Sequence, residues 1–509
     1  MKKAVLQFSV ILLLGINIWI SCKPKDETKE DTPVAEMAIV TSSLPQDVLP
    51  SCVVTDTEFD SWFATGTPTE NGAVNPANSV TFGHKDNCDF YKWSQQMFLW
   101  ITSTEGSTGK TVFESPKFYT VSPEFGPKGE QRKLIPHTPG TMLSAMPNLE
   151  KSVGVDSEEG QATGDALMSK DSALVYYITM VNDVYAEFLA AVNAGKMEGK
   201  QFPTTQAELD VIVNYAKENG VILQDSIALA MEIKTSWVEA STIAPSELGN
   251  YITIDAIIPT YTKTPTKWTI LNATTTAKLA LLGVHIVGST AGHPEMVWST
   301  FEHRKTAPAL SYSYIDQSNA KKTIKADTGS DWVLNSNAND TLNINVSHMK
   351  FKGESIYATP SYTISPSNST RTKPWGVANA GVPNPENPSV EASNSQVISI
   401  NNSVQSKLVG NDVRKNYFFI GSTWTDSGLP PTGVSYATEH TGSGVAIGTS
   451  QLANSTMETY IQNNAGYNEN GSCFYCHHDF TSPTNDPNQL SHVYGDIMKW
   501  KQATTVIKK

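Results

Sequence analysis

The sequence predicts an α+β protein. A large β-rich domain carries several helices, and a short helical segment at the C-terminal end packs on it. Three patterns carry that expectation. In the first half of the chain apolar residues recur at helical spacing, in runs bounded as helices are. From about residue 227 the period changes to two, the spacing of strands. Between about 317 and 411 the chain turns to Asn, Ser, Thr and Pro, which reads as a long insertion or loop-rich lobe. The length of 509 residues allows two or three domains and a large core.

Taken in order, "NCDFYKWSQQMFLWITS" places Phe90, Trp93, Met97 and Trp100 on one helical face, an aromatic stripe that reads as core. Leu174, Tyr177, Ile178, Val181, Tyr185 and Phe188 predict a second helix, ending near Gly195. A third runs from Thr205 to Gly220, with Thr205 and Glu208 as a capping box. Ile227, Leu229, Met231, Ile233 and Trp237 then alternate with smaller or polar residues, as in a long half-buried strand. "YITIDAIIP", "KLALLGVHIV", "EMVWSTFEH" and "KNYFFIGSTW" predict further strands. In "STMETYIQNN", Ser455 and Glu458 fit a capping box, with Met457, Tyr460 and Ile461 on one face of a short helix. "GSGVAIG" lacks the Lys-Ser/Thr of a phosphate loop and reads as a turn.

The N-terminus is of another kind. Lys2 and Lys3 precede an apolar run, Ala4 to Ile20, which is short for a membrane span; Ser21 and Cys22 follow, then a charged stretch. Residues 1–21 resemble a bacterial lipoprotein signal peptide, which implies lipidation of Cys22; an ordinary secretory signal is the alternative. Residues 22–50 read as a tether, 51–450 as the α+β domain, and 451–509 as the C-terminal segment. Removing Met1–Ser21 takes away two lysines and no acids, so the net charge moves from −13 to −15. Such an acidic surface disfavours nucleic acid and anionic lipid as partners. Attachment to a membrane would then be by lipid alone, at the cell envelope.

Five cysteines divide cleanly. Cys22 goes to lipid and Cys473 with Cys476 form a motif, leaving Cys52 and Cys88 as a disulfide pair in an oxidising compartment. Closing that loop stabilises by roughly 4 kcal/mol in the chain-entropy model.

The motif is "SCFYCHH". Cys473-Phe-Tyr-Cys476-His477 has the spacing of covalent haem attachment: two thiols add across two porphyrin vinyl groups, and the adjacent imidazole supplies the proximal iron ligand. A zinc site would need two more ligands, and no cysteines remain to provide them. A thioredoxin-like dithiol would need a strand leading in. One haem c is therefore the expected cofactor, and export agrees with it. Only 32 residues follow His477, so part of the covering must come from upstream. The candidates for the iron's other face are His303, His285 and Met498, with His492 behind the last. His285 faces away from Val284 and Ile286, whereas His303 shares a face with Val297, Ser299 and Phe301. Each such histidine either reaches a metal or is bonded in the core to a carboxylate or carbonyl; the sequence leaves both open.

Together, "CDFYKWSQQMFLWITS", "GVHIV", "VWSTFEH", "NYFFIGSTW", "NSTMETYIQ" and "SCFYCHH" resemble a group of bacterial mono-haem cytochrome-c-family lipoproteins of similar length. The resemblance implies haem c and export and says little about a reaction. Two functions are open: electron transfer with a partner protein or small-molecule donor or acceptor, and a haem-dependent redox enzyme (peroxidase- or oxygenase-like) with a substrate pocket in the large domain. A surface binding lipoprotein with a structural haem is the third.

Overall fold

A computed structural model describes residues 44–106, 109–122, 132–138, 142–146, 162, 164–340, 342–353, 355–376, 385–462, 473–479, 481–498 and 500. The signal segment 1–21, Cys22 and most of the tether lie outside the described residues, as does the Gly/Asn-rich stretch 463–472. The architecture is α+β. Its strands are β1 (Phe118–Val121), β2 (Leu134–Pro136), β3 (Leu143–Ser144), β4 (Val175–Asn182), β5 (Met231–Glu239), β6 (Thr253–Lys263) and β7 (Lys267–Thr290). Beyond them come β8 (His293–His303), β9 (Tyr312–Ile315), β10 (Lys321–Ile324), β11 (Met349–Lys352), β12 (Ser355–Ala358), β13 (Tyr417–Thr425) and β14 (Ala446–Gly448). The helices are α1 (Asp56–Trp62), α2 (Asn87–Ile101), α3 (Asp183–Asn193), α4 (Gln206–Glu218), α5 (Val390–Gln405), α6 (Cys473–Cys476), α7 (Pro487–Leu490) and α8 (Tyr494–Ile497). None of the described helices is long and apolar enough to cross a membrane.

The sheet runs β14-β13-β8-β7-β5-β4-β1-β2, every neighbour antiparallel. Its middle, β5, β7 and β8, is buried on both faces over residues 231–238, 279–284 and 293–303. One face is apolar and packs on α2: Phe98 stacks on Phe301 with ring centroids 4.2 Å apart, and Phe90 stacks on Trp424 at 3.8 Å. Removing one such buried ring costs roughly 3–5 kcal/mol. The other face carries Glu232, Lys234, His285, Trp298, Thr300 and Glu302, and it is buried too. The alternation that predicts a half-buried strand therefore has a different cause: the polar face lies under residues 449–462, 473–479 and 481–498, not under water.

The predicted aromatic helix is α2, and Thr205 and Glu208 form the expected capping box on α4. Cys52 and Cys88, 36 residues apart, are disulfide-bonded across α1 with their Cα atoms 5.4 Å apart. Three expectations need correction. The helix expected from Leu174 divides at Asn182: β4 comes first, then α3, whose N-terminus the Asn182 side chain caps. The strand expected from Ile227 starts at Met231, because residues 226–228 turn as a 3-10 helix and Leu229 has φ +58°. The Asn/Ser-rich stretch to residue 411 contains α5, a 16-residue helix packed on α2 and β13.

Candidate cofactor site

Register decides which side chains meet. Val287 pairs with Glu232 on one side and Trp298 on the other; His285 pairs with Lys234 and Thr300. Directly opposed residues share a face, so these six form two adjacent rows on the polar side of the sheet. The chain from residue 454 returns across them. The Asn454 side chain donates to Thr300 Oγ1 (2.8 Å), and Ser455 donates through N and Oγ to the Glu302 carboxylate (2.6 and 2.7 Å). Thr456 Oγ1 meets Ser236 Oγ at 2.7 Å. Gly283 permits this approach, since a Cβ there would stand 2.7 Å from Thr456 Oγ1. Ser455 and Glu458 are thus not the capping box their spacing suggests. Both side chains cross to the sheet instead, and a 3-10 turn, Thr459–Ile461, stands where the short helix is expected.

The last described stretch closes the site. Phe474 is buried with its ring 5.7 Å from that of Trp298, which fixes α6 over the sheet. His477 then lies with its ring centroid 4.5 Å from Trp298 and 4.4 Å from His492. His478 packs against Gly433, where a Cβ would fall within 2.3 Å of its ring. Between floor and cover is a small cavity of about 50 Å³. Its walls include Cys473, Cys476 and His477, together with His285, His492, Lys234 and Glu458. Val287, Trp298, Leu452 and Ile461 supply the apolar part.

Two of the cavity histidines, one on the sheet and one on its cover, are each held by a carboxylate. His285 Nε2 is 2.9 Å from Glu458 Oε1, and His492 Nδ1 is 2.9 Å from Glu232 Oε1. The second oxygen of Glu232 accepts from Ser491 Oγ at 2.6 Å. Burial pushes the Glu232 carboxyl up from its ordinary range, opposed by Ser491 and by His477 nearby. Burial acts on Glu458 in the same sense, but His285 reverses it and leaves that carboxyl below its ordinary value. Burial also raises the Cys473 thiol, with Glu458 and Cys476 adding to the effect.

Compared with protein-family models, curated proteins and solved structures, this chain matches none.

Of the residues singled out by sequence, Cys473, Cys476, His477 and His285 meet in the cavity. His303 does not. It falls on the opposite face with Phe301, stacked on Tyr251 with centroids 3.7 Å apart, where Nε2 meets Asn250 O (3.1 Å) and Nδ1 accepts from Lys305 N (3.2 Å). Burial lowers its pKa to about 3, so it stays neutral and has both nitrogens engaged. Met498 is 43 % exposed and lines no part of the cavity. Phe301 and Trp298 lie on opposite faces of β8. His492, named only behind Met498, lines the cavity where Met498 does not, and the residues that sequence reasoning missed are Glu232 and Lys234. A signal existed: Glu232, Lys234, His285 and Trp298 occupy the polar phase of strands whose other phase is mostly apolar. Ionisable groups in that phase mark either solvent or a site.

Proposed function

We propose that the chain is an exported, lipid-anchored c-type cytochrome that carries one covalent haem and transfers electrons at the cell envelope. The observation that carries this reading is the convergence of both motif cysteines and His477 with two carboxylate-held histidines on one cavity. The donor set fits the group. Each thiol would add across one vinyl double bond, sulfur to one carbon and hydrogen to the other, with nothing lost. His477 would hold the iron, while Val287, Trp298, Leu452 and Ile461 exclude water. When bound, the group supplies one-electron redox chemistry. The Cys52–Cys88 disulfide agrees with an oxidising compartment, and the N-terminal segment with lipidation at Cys22.

A second reading, a haem-dependent redox enzyme, is favoured by the His285–Glu458 pair. It is an acid and a base in contact at the cavity wall, placed to hold or move a proton beside a bound substrate.

The first reading is tested by expressing the full chain with a haem c maturation system. Haem staining should survive denaturing electrophoresis and vanish in the Cys473→Ala, Cys476→Ala double variant. Haem that extracts into acidified solvent from the wild type would overturn it. Peroxide turnover that His285→Ala lowers tenfold or more would move the balance to the enzyme.

A further inference from the structure

We infer that His84 and His293, backed by Glu295, bind one divalent transition-metal ion, zinc or copper, which clips the entry of α2 to the start of β8. The site shares no residue with the lining of the cavity at Cys473, and it does not depend on the haem reading. His84 Nε2 and His293 Nε2 are 3.3 Å apart, with the ring planes at 65°. Two imidazoles bound to one tetrahedral ion, each at about 2.0–2.1 Å, hold their nitrogens about 3.3 Å from one another. His293 Nδ1 is hydrogen-bonded to Glu295 Oε1 at 2.8 Å. That is how a carboxylate fixes a ligating ring: it takes the N–H of one nitrogen and leaves the lone pair of the other for the metal.

The carboxylate supplies an independent reason for a cation. Glu295 is fully buried; Oε1 also accepts from Thr425 N at 3.1 Å, and Oε2 has no hydrogen-bond partner. A buried carboxylate is costly unless positive charge stands against it. Among the described residues its ion-pair partner is His293, so the charge arrives through that ring, from a proton or from a metal. The second imidazole favours the metal. Phe82 and Phe90 pack on the His84 ring with centroids 5.4 and 4.7 Å away, and Phe90 meets His293 edge-on at 5.0 Å, which holds the two tips together. Burial lowers the pKa of His84 and so keeps its ring neutral, while Asp89 and Glu295 make the local field negative. The described residues bring no cluster of three or more ligating side chains, so water completes the coordination from the side where His84 is exposed. Imidazole donors suit zinc and copper.

The experiment is a calorimetric titration of the purified full chain with zinc chloride, the wild type against variants prepared in the same way. Zinc held elsewhere in the chain is common to all of them, so the difference is what is read. The wild type should bind one equivalent more than His84→Ala and one more than His293→Ala. His84 is exposed, so its variant keeps the core intact and guards against a folding defect in the other. Glu295→Gln should retain the equivalent with affinity weakened about 10- to 100-fold, the usual cost of losing a partner behind a ligand. With copper in place of zinc, the wild type should show nitrogen coupling in its electron paramagnetic resonance spectrum that His84→Ala reduces. An equal number of equivalents at equal affinity in the wild type and His84→Ala overturns the inference, and the pair is then a hydrogen bond with a proton meeting the charge of Glu295. Unweakened binding by Glu295→Gln overturns the role given to that carboxylate.

Discussion

Glu187 lies on α3 with its side chain buried and neither carboxylate oxygen hydrogen-bonded. Burial raises its pKa to about 7, and burial likewise raises Asp183, one turn earlier, to about 7. Unfolded, such groups titrate near 4. The folded state therefore holds more protons between about pH 4 and 7, and stability falls as pH rises through that window before levelling off above it. Glu187→Gln should leave stability nearly unchanged at pH 4 and raise it at pH 8 by on the order of 3 kcal/mol, the worth of the shift. Urea denaturation of both proteins at the two pH values measures this. An equal gain at both would show that the carboxyl does not titrate there. The same scale shows what the site's sequence could reveal. His285 and His303 are both strand histidines, and parity separates them: one falls in the phase of Trp298, the other in that of Phe301. Their partners, a glutamate 173 residues away and a backbone carbonyl 53 away, follow from the fold and from no local pattern.

At the level of elements the misreadings have a common cause, which is polar or β-branched residues buried where local rules expect water. α5 is built from Ser and Asn that serve as backbone partners for irregular chain. Ser399 Oγ accepts from Cys52 N (3.2 Å) and donates to Cys52 O (2.8 Å). Ser403 does the same for Val54, at 2.9 and 3.1 Å. Asn401 bonds both N and O of Phe419 through its side-chain amide. The composition reads as loop because those side chains complete loops elsewhere. A helical signal was nonetheless present in Val390, Val397, Ile400 and Val404 after the Ser389 cap. Ser399→Ala with Ser403→Ala should lose on the order of 3 kcal/mol, since a buried backbone group left without a partner costs roughly 1–3 kcal/mol. An unchanged denaturation midpoint would mean that the helix does not hold residues 52–54. β4 failed for the converse reason. "VYYITMV" is a strand by composition, but it is buried on both sides and so shows no alternation to set against the helical spacing. The long strands β6, β7, β8 and β13 and the capped helices α2 and α4 were legible because each shows its period over a whole element.

For the molecule as a whole, the sheet's polar face was legible as polar and illegible as covered. Its cover comes from residues 449–462, 473–479 and 481–498, which lie 150 or more residues further along than Trp298, and no pattern within these segments announces the pairing. The N-terminal end of the fold carries a mechanical consequence. Any pull on that end would enter the fold at Leu44 and run to Cys52. There the Ser399 clamp and the disulfide to Cys88 on α2 meet the load together. While the bond is intact, tension passes from Cys52 into α2, and α1 is left slack. Pulling single molecules from residue 44 should therefore give no release of the 36-residue loop while the bond is intact. With reductant, an earlier event at lower force should add about 120 Å of extension, from roughly 3.3–3.6 Å per residue. Identical traces in both conditions would show that the load takes another route. In the oxidised protein the bond acts as a strain relief: a pull at Leu44 passes through Cys52 and Cys88 into α2 and its aromatic stripe.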